Sequence, residues 1–431
     1  MEAPGTTLSL HFLRCAILRS FLDRTNSEHF SLVPNLRVLI WSPSADFCVT
    51  PLLEGLLAPG LVSLDITLEG EVDTPGPLFE NLALLCPNLK TLRWDFGDGL
   101  YEPILHVVDA LSSSIVCLGK IESLEFFAPL DPYTLKEVIL SPCFKTLGIG
   151  LDHSLSAVEY IDITPADTPF PNVETMELEI CDLYFLTSLL RPHQQKFRNI
   201  EVKLHSEGRR PLVQPILSFF TTLVTPPRIK SLESISLVLH GDCFREDNEA
   251  QDAQDLEDSP MYYCLTFDTL SPLASFHCLR ELYIAMHNQI SINDDELAAL
   301  ARCWPSLEVL QLNCRSGGWP WVTAKYTTLR GLLSLIQACP RLWTICLPID
   351  ARIVPMDANP DIRNTLLVCL ELPDSYVREP RLVAEFLRKH FPSVKMVNTE
   401  PVWGDAFTMR RGDTAYMEGC RRLWEAVEEL L

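Results

Sequence analysis

WPSLEVLQLNC, residues 304–314, contains three leucines, Leu307, Leu310 and Leu312, spaced L-x-x-L-x-L, with Pro305 just ahead of them. In an extended strand alternate side chains share a face, so Leu310 and Leu312 point one way while Val309, Gln311 and Asn313 point the other. Leu307 enters from the preceding turn. Immediately upstream, DDELAALARC (294–303) reads as a helix, with its acids at the start and Leu297, Leu300 and Ala301 on one face. Helix, tight turn and strand make a unit with one apolar side that a single copy cannot bury. Stacked copies can.

The unit recurs along the chain. VPNLRVLIW (33–41), PGLVSLDITL (59–68), CPNLKTLRW (86–94) and FPNVETMELEI (170–180) are clear copies; weaker ones start at Ile121, Phe144 and Phe197. Further copies start at Leu232, Leu279, Leu342 and Leu367, and a degenerate one at Val394. The spacing is irregular, at roughly thirty residues on average. Between the strands, residues 51–58, 78–86, 102–112, 183–190, 212–223, 328–339 and 380–390 carry apolar residues at three- and four-residue steps and are expected to be helices. The pattern predicts an α/β leucine-rich-repeat solenoid, a right-handed horseshoe with a parallel inner sheet and outer helices.

Residues 31–400 form this solenoid, and both ends need covering. Residues 6–24 read as an amphipathic helix, making 1–30 an N-terminal helical cap; 414–431, with Tyr416, Leu423, Trp424 and Val427 at helical spacing, make 401–431 the C-terminal one. The widest interval, between Leu232 and Leu279, holds eight acids against Arg245 alone in DCFREDNEAQDAQDLED. Residues 242–260 are therefore expected to be a disordered acidic insert.

A formal charge of -22 argues against nucleic acid as a partner, because binding a phosphate backbone requires a basic face. The fifteen cysteines are scattered, odd in number and without a C-x-x-C pair. Cys86-Pro87 and Cys339-Pro340 close a helix before a strand, and Cys303 holds the same place ahead of Trp304-Pro305, which suits small buried thiols in a reducing compartment. No run approaches membrane-span length, the first residues make a poor signal peptide and no N-x-S/T sequon occurs. A monomer in the cytoplasm or nucleus, off the membrane, is expected.

No catalytic constellation emerges. G-x-x-x-x-G-K-[ST], H-E-x-x-H and G-x-S-x-G are absent, and GIG (148–150) lacks the third glycine of a dinucleotide loop. His153 and His287 follow strands but have no partner set; the tripeptide RGD (411–413) is ascribed to chance; Trp319 and Trp321 in GGWPW are either a binding anchor or packing. No catalytic residue, cofactor or metal is expected.

The outward residues of each strand should line the concave face. They include Asp65, Arg93, Asp95, Glu125, Phe127, Glu177, Glu179, Glu201, Lys203, Glu281, Tyr283, Ala285, Gln311 and Asn313, with Glu371 and Glu400 further on. Acids outnumber the two bases, most of all from Glu125 to Glu281, so the expected partner is a protein substrate with a basic segment.

DDELAALARCWPSLEVLQL (294–312), VTAKYTTLRGLLSLIQACPRLWTICLPIDA (322–351) and REPRLVAEFLRKHFPSVKMV (378–397) together resemble the F-box/leucine-rich-repeat proteins of mushroom-forming fungi. The similarity covers about residues 30–400 and is strongest after Ser271. It implies the substrate-binding region of a receptor that presents targets to a cullin-type ubiquitin ligase, with the ligase adaptor held by an F-box. Nothing in residues 1–24 matches the L-P-x-E-like opening of an F-box. An adaptor is therefore expected as a partner only if an F-box lies upstream; otherwise a stand-alone interaction scaffold is expected.

Overall fold

The computed structural model describes residues 6–11, 33, 35–42, 53, 55–67, 81–95, 114–151, 169–190, 197–205, 212–224, 231–240, 264–286, 288–312, 325–373, 375–398 and 411–431. They divide into two units: Met1–Cys181 with Pro192–Lys196, and Asp182–Arg191 with Phe197–Leu431. Each is an α/β leucine-rich-repeat solenoid of parallel strands and helices.

In unit 1 the strands are β1 (Thr6–His11), β2 (Leu36–Ser42), β3 (Ser63–Thr67), β4 (Thr91–Asp95), β5 (Ser123–Pro129), β6 (Thr146–Gly150) and β7 (Thr175–Ile180), stacked in chain order. Register brings Leu39, Leu64, Leu92, Leu124, Leu147 and Met176 into one row and Trp41, Ile66, Trp94, Phe126, Ile149 and Leu178 into another. All twelve are buried. Each contributes about 1.5–3 kcal/mol of apolar burial, which is why the leucine spacing alone predicts the sheet.

Helices described over their full length in this unit are α1 (Leu82–Leu85) and α2 (Pro132–Leu140), and residues 53, 55–56 and 114–117 are helical as well, 53 and 55–56 inside the expected 51–58. Helix α1 lies inside the expected 78–86. Helix α2 was not anticipated, although its start follows a simple rule: the Asp131 carboxylate accepts hydrogen bonds from the Tyr133 and Thr134 N–H groups at 3.0 and 3.1 Å, with Pro132 in the first turn. Residues 102–112 lie outside the described set.

The N-terminal expectation needs correction. Thr6–His11 is a strand, not part of a helix, and pairs parallel with β2, Thr7 opposite Val38 and His11 opposite Ser42. TTLSLH alternates with period two, and an open strand edge offers backbone groups that a seventh strand satisfies. The remainder of the proposed cap, 12–30, lies outside the described residues.

Unit 2 opens with α3 (Leu183–Leu190), β8 (Asn199–His205), α4 (Val213–Val224) and β9 (Ser234–His240). Next come β10 (Cys264–Thr266), α5 (Phe267–Leu270), β11 (Glu281–Ala285), β12 (Gln289–Ser291), α6 (Asp294–Ala301) and β13 (Val309–Leu312). The chain continues through β14 (Thr327–Thr328), α7 (Leu329–Ala338), β15 (Thr344–Cys346), β16 (Ile349–Ala351) and β17 (Cys369–Glu371). It ends with β18 (Tyr376–Val377), α8 (Pro380–His390), β19 (Val397–Asn398) and α9 (Arg411–Glu428). The repeat strands β8, β9, β11, β13, β15, β17 and β19 form the main sheet, while β10–β12 and β14–β16–β18 form two small parallel sheets that the leucine pattern does not foretell.

Local chemistry holds the repeats together. Asn293 and Glu296 form a reciprocal capping box at the start of α6, each bond 2.9 Å. The buried Trp304 indole donates to the Leu273 carbonyl at 3.0 Å, and the buried Cys339 thiol lies 3.2 Å from the Trp304 carbonyl. Burial pushes the Cys86 and Cys339 thiols up to about 12, so both remain protonated packing groups. At the C-terminus, Trp424 is buried with its indole donating to the Ser375 carbonyl at 2.9 Å, on the helix expected over 414–431. The acidic insert 242–260 and residues 401–410 lie outside the described residues.

Candidate protein-binding face

Each unit presents a sheet face opposite its buried leucine rows. In unit 1, Asp65 pairs with Arg93, Arg93 with Glu125, Glu125 with Gly148 and Gly148 with Glu177, so one row crosses five strands. Arg93 is exposed and salt-bridged within the face, 3.3 Å from Glu125 and 3.7 Å from Asp95. Burial raises the Asp65 carboxyl above its ordinary value, opposed by Arg93 and reinforced by Asp95. Glu179 sits opposite Gly150 on the same face.

Phe127 and the two glycines fit one another. A Cβ on Gly148 would lie 3.1 Å from both the Phe127 ring and the Glu125 side chain, and one on Gly150 only 2.5 Å from the Phe127 carbonyl oxygen. The GIG sequence is therefore a close-approach device under a half-buried aromatic. It is not the remnant of a nucleotide loop.

In unit 2, Glu201 lies beside Ser236, which is followed in register by Tyr283, Gln311, Cys346, Glu371 and Asn398. Lys203 faces Val238. Glu281 is exposed and accepts a hydrogen bond from the Ser234 hydroxyl at 3.1 Å. One correction applies here: Ala285, expected to line the face, is only 3% exposed; Thr344 and Cys346 farther along are buried as well. Small side chains on a pleated sheet expose little even when directed outward. Asn313, Glu400, His153, His287, Trp319 and Trp321 lie outside the described residues.

Beside this face lies a feature that strand periodicity misses. From β4 to β13 the residue just before each strand of the main sheets runs Lys90, Glu122, Lys145, Glu174, Arg198, Glu233, Arg280, Glu308, alternating in sign from one repeat to the next. Within unit 1, Glu122 binds Lys90 at 2.9 Å and Lys145 at 2.6 Å, and these two bonds, that from Lys145 foremost, hold its carboxyl down to about 2. Within unit 2, Arg198 reaches Glu233 at 2.6 Å, Arg280 reaches Glu308 at 2.9 Å and Glu233 at 4.0 Å, and Arg341 closes the series on Glu308 at 2.7 Å. The backbone repeats the pattern: the N–H of Glu122 donates to the Lys90 carbonyl and that of Glu308 to the Arg280 carbonyl, at 2.8 and 2.7 Å. The signal was present in the sequence as the first variable position of L-x-x-L-x-L.

His390 is buried, its Nδ1 2.6 Å from the Ile362 carbonyl oxygen, and burial lowers its pKa. No group of three metal-ligating side chains occurs among the described residues, and none of the described helices is long and apolar enough to cross a membrane.

No family model matches the chain, and no curated protein matches it. Among solved structures it is similar to that of the yeast Rad7 and Elc1 complex, with 14% identity, 84% of this chain and 81% of that chain covered, and a TM-score of 0.46. A second similar structure is the Arabidopsis receptor kinase HAESA with the peptide hormone IDA and the co-receptor SERK1, at 11% identity, covering 85% and 75%, with a TM-score of 0.17. Likeness at this level carries no information on what this chain binds.

Proposed function

We propose that this chain is a non-catalytic protein-recognition module whose sheet face receives a basic segment of a partner protein. The observation that carries this reading is the chemistry of the face: Asp65, Glu125, Glu177, Glu179, Glu201 and Glu281 are half-buried or exposed on it, and Arg93 is already salt-bridged to neighbouring acids. On the face of each unit, fixed carboxylates attract a cationic partner over a distance and help to fix its register on contact. The module acts as a monomer in the cytoplasm or nucleus, without nucleic acid, membrane or cofactor.

The test is a lysine-rich probe peptide titrated against the whole chain by fluorescence anisotropy. Reversing charge at Glu177→Lys, Glu179→Lys and Glu201→Lys should weaken binding about tenfold or more and flatten its salt dependence, with unchanged circular dichroism. Undiminished binding by the reversed variant would defeat the reading.

The narrower form, the substrate-binding region of an F-box-type ubiquitin-ligase receptor, is supported by the family resemblance of residues 294–397. Copurification of a cullin-ligase adaptor with the tagged chain would support it. Loss of the adaptor with retained peptide binding would leave a stand-alone scaffold.

A further inference from the structure

The charged edge of unit 2 changes character at its C-terminal end. Arg198, Glu233, Arg280 and Glu308 occupy the position before the first four strands; at the same register level in the last three stand Trp343, Val368 and Lys395. The Val368 N–H donates to the Trp343 carbonyl at 3.0 Å, which places these two side chains side by side in neighbouring repeats. Trp343 is 46% exposed and Val368 56%, and with them stand Leu366 at 54% and Met396 at 68%. Met396 precedes Val397, the register partner of Leu370, and so adjoins Cys369 on the open face. Of the other exposed apolar side chains, Leu84, Val116 and Tyr133 in unit 1 sit singly on separate segments, as is ordinary for a protein surface, while Ile353 and Met356 in unit 2 share a segment that does not immediately precede a repeat strand. Trp343, Leu366, Val368 and Met396, four exposed side chains in three consecutive repeats, form a patch of the kind that marks an interaction site.

Charge around the patch selects its occupant. On the face side lie Glu371, in the row that Cys346 and Asn398 share, and Glu281, exposed in the row that leads through Val309 and Thr344 to Cys369. On the other side, at the edge, stand Lys395 and, two residues before Trp343, the exposed Arg341, whose guanidinium lies 2.7 Å from Glu308. A partner's cations are attracted toward the two carboxylates and turned away from the ammonium, so the segment fits in one orientation. We propose that Trp343, Leu366, Val368 and Met396 seat the apolar side chains of a cationic, amphipathic protein segment whose basic residues face Glu281 and Glu371. This deepens the recognition reading by naming an apolar anchor at one end of the acidic face, and it rests on that reading.

The experiment selects displayed, randomised short peptides against the whole chain and measures recovered peptides by fluorescence anisotropy. Recovered sequences should place aromatic or aliphatic residues beside Lys or Arg. Their affinity should fall about tenfold in Trp343→Ser/Val368→Ser, whose changes are at exposed positions, fall in Glu371→Lys, and hold or rise in Lys395→Glu. Recovery of acidic peptides, or of peptides whose binding survives the Trp343/Val368 double substitution, would overturn the proposal. If surviving peptides instead lose affinity in the Glu177/Glu179/Glu201 charge-reversed chain, the anchor falls while the acidic recognition face stands.

Discussion

Glu308 and Leu310 are two residues apart in one repeat and serve different ends. Leu310 is fully buried in a register row with Ile235, Leu282, Ile345, Leu370 and Val397. Glu308, at the edge of the same strand, holds Arg280 on one side and Arg341 on the other. Unit 1 repeats the arrangement, with Leu124 buried and Glu122 held between Lys90 and Lys145. An apolar row has no sign: any branched side chain stacks acceptably on any other, so the row stabilises the array without ordering it. The charged row is the reverse. Moving a repeat by one position would leave leucine on leucine but would bring arginine against arginine, so the edge discriminates between neighbours while adding little energy.

The greatest effect is expected from a charge in the apolar row. Leu310→Asp removes a buried side chain and leaves a carboxylate without a counter-ion, so unit 2 should lose about 4 kcal/mol or more, seen as a collapse of its urea unfolding midpoint. A chain that kept its midpoint would break the distinction between the rows at once. Glu308→Ala, two residues away, should cost only about 1 kcal/mol in the same assay, since its arginine partners are near half-exposed and can turn to water. Equal losses from the two substitutions would make the edge a source of stability and not only of order.

The smallest effect sharpens the comparison in unit 1. Carbon-detected NMR titration should place Glu122 at about 2 against an ordinary 4.5, and Lys145→Ala should raise it more than Lys90→Ala, following the order of their bonds. Because the folded value lies below the unfolded one, the contribution of this group is complete above about 4.5 and is lost as pH falls toward about 2. From pH 5 to 7 it should be flat. A Glu122 that titrated normally would remove the ladder from unit 1 and leave only the apolar rows.

Much of this was legible in one dimension. L-x-x-L-x-L located all thirteen expected strands, because a period of two with a buried partner on either side leaves no other arrangement for those leucines. The outward residues followed from the same alternation, and Asp65, Arg93, Glu125 and Glu177 do share a row. The N-terminus was misread because Leu8, Phe12 and Cys15 also suit a helix, and TTLSLH is too short for periodicity to arbitrate. Pairing with β2 settled it.

By itself the sequence determined which side chains enter the core of each repeat, since burial of leucine, isoleucine and tryptophan outweighs every other local preference. It also held the alternating signs from Lys90 to Glu308. What only the tertiary structure decided was register: repeats of unequal length separate Arg280 from Glu308 and Trp343 from Val368 by different spans of chain, and hydrogen bonding between parallel strands brings each pair to the same level. Side chains distant in the chain become a salt bridge or an apolar strip only when backbone N–H and C=O groups have been matched, because that matching sets the height at which every strand begins.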